Sequence, residues 1–208
     1  MKCYSIVLNP LQTNCYLLEK NNHVIIFDPS MDIGNDMSSL LAKIKDDWTI
    51  DAIVLTHGHY DHISAVDALY ELYQPEIFIH QNDLEYLSNP ILNASAFMNE
   101  HFVLESPVTT IKEGPLKIGE FEFEVVLTPG HTPGSISLFI DDFAIVGDCI
   151  FKNSIGRTDL PGGSSEDMKK SLDYFKSLSK DYQLLPGHGD RTKLSVEKIM
   201  NPFLNGSN

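Results

Sequence analysis

Three histidines and one aspartate crowd into six residues of the stretch Thr56-His57-Gly58-His59-Tyr60-Asp61-His62. A lone histidine at a strand end is most often a hydrogen-bonded structural residue. Three imidazoles packed beside a carboxylate need a common counter-ligand instead. Imidazole and carboxylate donors without thiolate suit zinc, iron or manganese. His57 and His59, two apart, leave the same side of an extended segment. Asp61 and His62 fall where a helix begins and face a slightly different point, a spacing that favours two ions over one. Val54-Leu55-Thr56-His57-Gly58-His59 is echoed by Val126-Leu127-Thr128-Pro129-Gly130-His131, and a third run ends in Leu185-Pro186-Gly187-His188. Each time an apolar run meets a Gly-His turn, where glycine lets the chain bend sharply. These strand ends are expected to converge and present imidazoles at one place.

The elements that would position them alternate along the chain. β-Branched and aromatic runs predict strands over Tyr4–Leu8, Cys15–Glu19, Val24–Phe27, Ala52–Leu55, Ile77–His80, Phe121–Leu127, Ser135–Ile140, Phe143–Val146 and Tyr182–Leu185. Helical spacing of apolar residues predicts helices over Met37–Asp46, His62–Leu72, Asp83–Leu87, Ile91–Met98, Glu166–Ser177 and Leu194–Met200. Ser164 or Ser165 is the expected cap of the fifth. The last eight residues, NPFLNGSN, are expected to fray. No linker or low-complexity tract divides the chain, so residues 1–208 read as a single domain.

Composition narrows the function. With 15 Lys+Arg against 29 Asp+Glu the formal net charge is −14, which argues against nucleic acid and against anionic membrane surfaces as partners. No apolar run approaches the length of a membrane span. The N-terminus does not read as a signal peptide. Cys3, Cys15 and Cys149 are too few for a disulfide framework and are expected to be packing residues, so the chain reads as cytoplasmic. Of the other histidines, His23 and His80 flank strands and are expected to be structural. His101 lies in a loop-like stretch, and Tyr60 is expected on the wall of a cleft.

The segment H-x-H-x-D-H, followed in order by Gly130-His131 in TPGHTPGS, Gly147-Asp148 in VGDCIF and Gly187-His188 in LPGHG, resembles the metallo-β-lactamase superfamily from Asp28 to His188. The resemblance implies an α/β protein with the αβ/βα four-layer sandwich fold and a dinuclear metal site at the sandwich edge. It implies that His57, His59 and His131 hold one divalent ion and that Asp61, His62 and His188 hold the second. Asp148 would bridge the two, and Asp28 would support the ligand loop from behind. Cys149, next to Asp148, is expected to point the opposite way, into packing.

Within the superfamily the chain looks like the glyoxalase II branch. The segment Ser154–Gly163, with Arg157 in it, is typical of short bacterial hydrolases of that kind. Arg157 is the expected substrate-binding residue, since an arginine fork suits the carboxylate of a small thiol. Its competing role is an internal pair with Asp159 or Glu166. The chain ends twenty residues after His188, so the C-terminal helical domain of glyoxalase II is not expected. The implied cofactors are two zinc ions, with iron or manganese as alternatives. The implied reaction is thioester hydrolysis by a metal-bridging hydroxide, with Asp61 as the catalytic ligand that orients it. A thiolate, with a free thiol pKa of about 8.5, leaves without a dedicated acid. The alternatives are an iron-dependent persulfide dioxygenase of the same fold, or another ester or lactone hydrolase. A nuclease is disfavoured by charge. A β-lactamase is disfavoured by the bridging aspartate and the absence of a leader.

Overall fold

The computed structural model describes residues 1–206. Strands β1 (Lys2–Leu8), β2 (Thr13–Lys20), β3 (His23–Phe27), β4 (Thr49–Val54), β5 (Glu76–His80) and β6 (Thr109–Ile111) form one sheet in sequence order. β1 to β3 are antiparallel, and β3 to β6 run parallel. The second sheet contains β7 (Gly114–Ile118), β8 (Phe121–Leu127), β9 (Ile136–Ile140), β10 (Phe143–Gly147), β13 (Gln183–Pro186) and β14 (Thr192–Lys193), in the order β14-β13-β10-β9-β8-β7. A small hairpin joins β11 (Ile150–Phe151) to β12 (Ser154–Ile155).

Alternation along the strands builds three apolar layers. In β3, Ile25 and Phe27 face the space between the sheets. There they meet Phe121, Phe123, Val125 and Leu138 of the second sheet. Val24 and Ile26 face outward onto Leu40, Val66 and Leu69, which lie on and between α1 (Ser38–Leu41) and α3 (Val66–Tyr73). On the far side, Phe139, Ala144 and Leu184 pack against Met168, Leu172 and Phe175 of α4 (Ser165–Ser177) and Leu194 of α5 (Leu194–Met200). The result is the αβ/βα sandwich expected of the metallo-β-lactamase fold. Ser164 caps α4, its Oγ accepting from Asp167 N at 3.1 Å. Cys149 sits in this outer layer, as its neighbour's position required. Among the described residues no helix is long and apolar enough to cross a membrane.

Several details differ from the sequence expectation. The helix over His62–Leu72 is two, α2 (Tyr60–Ile63) and α3. The break comes where Ala65 N donates to Pro29 carbonyl at 3.3 Å, and Ser64 Oγ meets both Ser30 Oγ (2.9 Å) and Met31 N (3.0 Å). Only Ser38–Leu41 of the first predicted helix is helical, Asp83–Leu87 lies in a 3-10 segment over Gln81–Ser88, and Ile91–Met98 is a turn and a short 3-10 segment. β6, β7, β11, β12 and β14 are absent from the sequence expectation: Gly114, Pro115 and exposed threonines blur the alternation of β6 and β7, and the other three are two residues long, too short to show one. The C-terminal stretch is pinned as far as Leu204: Asn201 is buried and donates to Ser154 carbonyl at 2.9 Å and Phe151 carbonyl at 3.2 Å, and Leu204 is buried with α5. The fraying expected of Ser207 and Asn208 lies outside the described residues.

Candidate metal centre

Every predicted ligand lies just beyond the C-terminal end of a strand. His57 follows β4, and Asp61 and His62 open α2 one turn later. His131 follows β8, Asp148 follows β10, and His188 follows β13. The two sheets therefore deliver their strand ends to one edge of the sandwich. Gly187 N donates to Gly147 carbonyl at 2.8 Å, which sets the Asp148 and His188 turns side by side. A Cβ on Gly187 would strike Asp148 Oδ1 and come within 2.8 Å of His62 Cε1. Glycine is thus required there by close approach.

The donor atoms form two groups at the edge, and Asp28, His57 and His62 make a third that overlaps both. His57, His59 and His131 present ligand atoms within 4.8 Å of one another, and so do Asp61, His62 and His188. In the first group His59 Nδ1 lies 2.8 Å from His131 Nε2. In the second, His62 Nε2 is 3.3 Å from His188 Nε2 and 3.4 Å from Asp61 Oδ2, and His188 Nε2 is 3.3 Å from the same oxygen. Asp148 Oδ2 reaches both groups, 3.3 Å from His131 Nε2 and 3.4 Å from His188 Nε2. Ligands bound tetrahedrally at about 2.0–2.2 Å stand roughly 3.3–3.6 Å apart. His57 Nε2, His59 Nε2 and Asp148 Oδ1 are buried without a hydrogen-bond partner among the described residues, although buried polar atoms are normally satisfied. Orphaned donors at metal-ligand separation fit divalent ions.

Electrostatics separates the groups. Burial, reinforced by neighbouring imidazoles, pushes His57 well below its usual value and His59 down to about 3. Both are therefore the neutral imidazoles that metals require. Burial opposes charge at His62 and His188 too, but Asp61 and Asp148 outweigh it and raise them to about 9 and about 11. Burial likewise works against ionisation of Asp61 and Asp148, yet the fields of His62 and His188 hold both carboxyls well below the usual range. The two carboxylates thus favour positive charge between them, carried by imidazole protons that a divalent ion would displace.

A supporting shell fixes the ring orientations. Asp28, in the left-handed region at φ 50°, accepts from Thr56 N (2.8 Å) and Thr56 Oγ1 (2.6 Å), and its Oδ2 lies 3.1 Å from His62 Nδ1. His57 Nδ1 leans on Thr56 Oγ1 at 3.1 Å. His131 Nδ1 donates to Arg157 carbonyl at 2.7 Å and His188 Nδ1 to Leu11 carbonyl at 3.0 Å. Such outer contacts leave Nε2 of each of these rings for a metal. Asp28 thus contacts both Thr56 and His62.

Arg157 lies at the rim, but its guanidinium forks onto Asp159, with Nε–Oδ1 2.7 Å and Nη2–Oδ2 2.9 Å. It is its carbonyl that touches the site. Tyr60 stands on a cleft wall with Met31, Asn35 and Glu100, beside Asp61, and His101 lines the adjoining cleft. His23 pairs with Asp51 at 2.9 Å, and His80 caps the 3-10 segment that follows it.

The sequence reading missed Asp83. Its buried carboxylate accepts from Gly58 N (2.9 Å), Gly134 N (2.6 Å) and Thr132 Oγ1 (2.7 Å), tying the His57–His59 loop to the His131 loop. It also missed the β1–β2 turn, which supplies Leu11 carbonyl to His188 and Thr13 Oγ1 to Asp61 Oδ2 at 2.8 Å.

A four-layer sandwich with five imidazoles and two carboxylates gathered at one edge defines a metal-binding protein of the hydrolase type. The chain belongs to the metallo-beta-lactamase superfamily, whose sequence pattern matches residues 8–188. It is 37% identical to the probable metallo-hydrolase YqgX of Bacillus subtilis, over 99% of both chains. It is 31% identical to the hydroxyacylglutathione hydrolase GloC of Haemophilus influenzae, over 96% of both. Among solved structures it resembles the B3 metallo-beta-lactamase BLEG-1, with TM-score 0.91 and 36% identity over 99% of this chain and 100% of that one. It also resembles TTHA1623 in a di-iron-bound form, with TM-score 0.85 and 34% identity over 97% and 100%.

Proposed function

We propose that the protein is a dinuclear metallohydrolase of the glyoxalase II type, cleaving thioesters of small carboxylated thiols. The observation that carries this reading is the single oxygen of Asp148, Oδ2, standing 3.3 Å from His131 Nε2 and 3.4 Å from His188 Nε2. Divalent ions, zinc foremost and iron next, would supply Lewis acidity there and make water a nucleophile near neutral pH. His57, His59, His131, Asp61, His62 and His188 would hold them, with Asp148 shared.

The chain's own groups then orient and select. Asp61 keeps an ionised carboxylate at the open side of the site, where it orients an attacking water. Asp28 and Asp83 hold the ligand loops so that the donors need not rearrange. The nearby phenol of Tyr86 is committed to Pro161 carbonyl at 2.9 Å and is pushed well up by burial, so it is no proton donor for a leaving group. A thiolate needs none, which favours a thioester over an amide. Similarity to a hydroxyacylglutathione hydrolase along nearly the whole chain supports the same choice.

The test is a parallel assay of metal-loaded protein on S-lactoylglutathione and on a chromogenic cephalosporin. Thioester turnover is expected to exceed lactam turnover by at least about a hundredfold in kcat/KM. Lactam hydrolysis without thioester hydrolysis contradicts the reading. Oxygen uptake with a thiol persulfide, in place of hydrolysis, would move the protein to the dioxygenases.

A further inference from the structure

The turn between β1 and β2 has no part in the ligand set, yet it touches both protein elements that build the second donor group. Thr13, fully buried, donates from Oγ1 to Asp61 Oδ2 at 2.8 Å. That oxygen is the one facing His62 Nε2 (3.4 Å) and His188 Nε2 (3.3 Å). Leu11 carbonyl takes the Nδ1 proton of His188 at 3.0 Å. Asn14 N donates to Gly187 carbonyl at 2.7 Å, and Asn14 Nδ2 donates to Pro186 and Gly189 carbonyls at 2.9 and 2.8 Å. Asn9 Nδ2 holds Asp61 carbonyl at 3.2 Å. Asp61 comes from the first sheet and His188 from the second, so this turn holds the two halves of that group from outside, beside their direct contacts.

Resting on the dinuclear reading above, we infer that Thr13 is a positioning residue for the second metal: its hydroxyl fixes the carboxylate of Asp61 so that Oδ2 faces His62 and His188. A carboxylate oxygen offers two lone pairs. The Thr13 proton occupies one and thereby directs the other toward the imidazoles. The alternative acceptor for that proton, Asn9 Oδ1, lies at 3.5 Å and is the weaker partner. Loss of an outer partner of this kind weakens metal binding roughly 10–100-fold. The first group has no contact with the turn and is not affected.

Zinc is the probe, titrated against a competing chelator into metal-free full-length protein, with both binding steps resolved. The step abolished by His188→Ala marks the second group. Thr13→Val and Thr13→Ala, which both delete the hydroxyl, are expected to weaken that step about 10–100-fold and to leave the other within about threefold. Thr13→Ser, which keeps the hydroxyl and loses a methyl group, is expected to bind as the unaltered protein does. Unchanged binding in the variants lacking the hydroxyl overturns the inference. So does equal weakening of both steps, or a serine variant as weak as the valine one. If the unaltered protein itself takes up only one ion, the dinuclear reading falls and the inference falls with it.

Discussion

Arg157 carries two functions on separate atoms. Its carbonyl orients His131 at 2.7 Å, a role any residue at that position keeps. Its guanidinium pairs with Asp159, and both side chains are more than half exposed, at 61% and 69%. An exposed pair of this sort contributes only about 0–1 kcal/mol, so the arm is free to swing to a better-placed carboxylate. Arg157→Ala is therefore expected to raise KM about ten- to a hundredfold for a thioester whose thiol bears a carboxylate, with a smaller loss in kcat. A thioester with no carboxylate on the thiol should be indifferent. Steady-state kinetics on the two substrates checks this, and equal losses on both would assign Arg157 to loop structure alone. At this scale the seven ligand candidates were legible because their types and order form one pattern. The fork onto Asp159 was legible only as one of two partners, since spacing in a loop does not fix which acid an arginine meets.

Among the elements, the strand ends did what the repeated Gly-His turns implied, bringing His57, His131 and His188 to one edge. What the sequence did not announce is how the loops carrying them are fastened. Asp83 sits in a stretch expected to be an ordinary short helix. Its importance comes from burial and from partners 25, 49 and 51 positions away, which local periodicity cannot register. The same holds for Thr13, 48 positions from Asp61. Asp83→Ala would leave the buried amides of Gly58 and Gly134 without their acceptor, at about 1–3 kcal/mol each, while the Thr132 hydroxyl keeps Ser135 Oγ at 2.7 Å. For a chain of this length one kcal/mol shifts Tm by roughly 2–4 °C. A drop on the order of 10 °C is therefore expected in calorimetry of the metal-free protein, together with weaker binding at the His57, His59 and His131 group. A metal-free Tm within a degree or two of the unaltered protein would show that the carboxylate does not tie these loops.

At the scale of the whole molecule, two sheets share one apolar interlayer, and each carries helices on its outer face. Much of this was legible, since strands buried on both faces read as continuous apolar runs and the outer helices as periodic ones. Of the missed strands, β6 and β7 are partly exposed and β11, β12 and β14 are two residues long, so all lack that signal. The sandwich matters to function because neither sheet alone holds a complete second donor group: Asp61 and His62 follow the first sheet, and Asp148 and His188 the second. Asp148 is the joint, its carboxylate shared by both groups. The most direct test is elemental analysis of freshly purified protein beside Asp148→Ala and His188→Ala. A dinuclear centre requires about two divalent ions per chain in the unaltered protein, both lost in Asp148→Ala and about one retained in His188→Ala. Two ions still bound to Asp148→Ala, or a single ion in the unaltered chain, would contradict it.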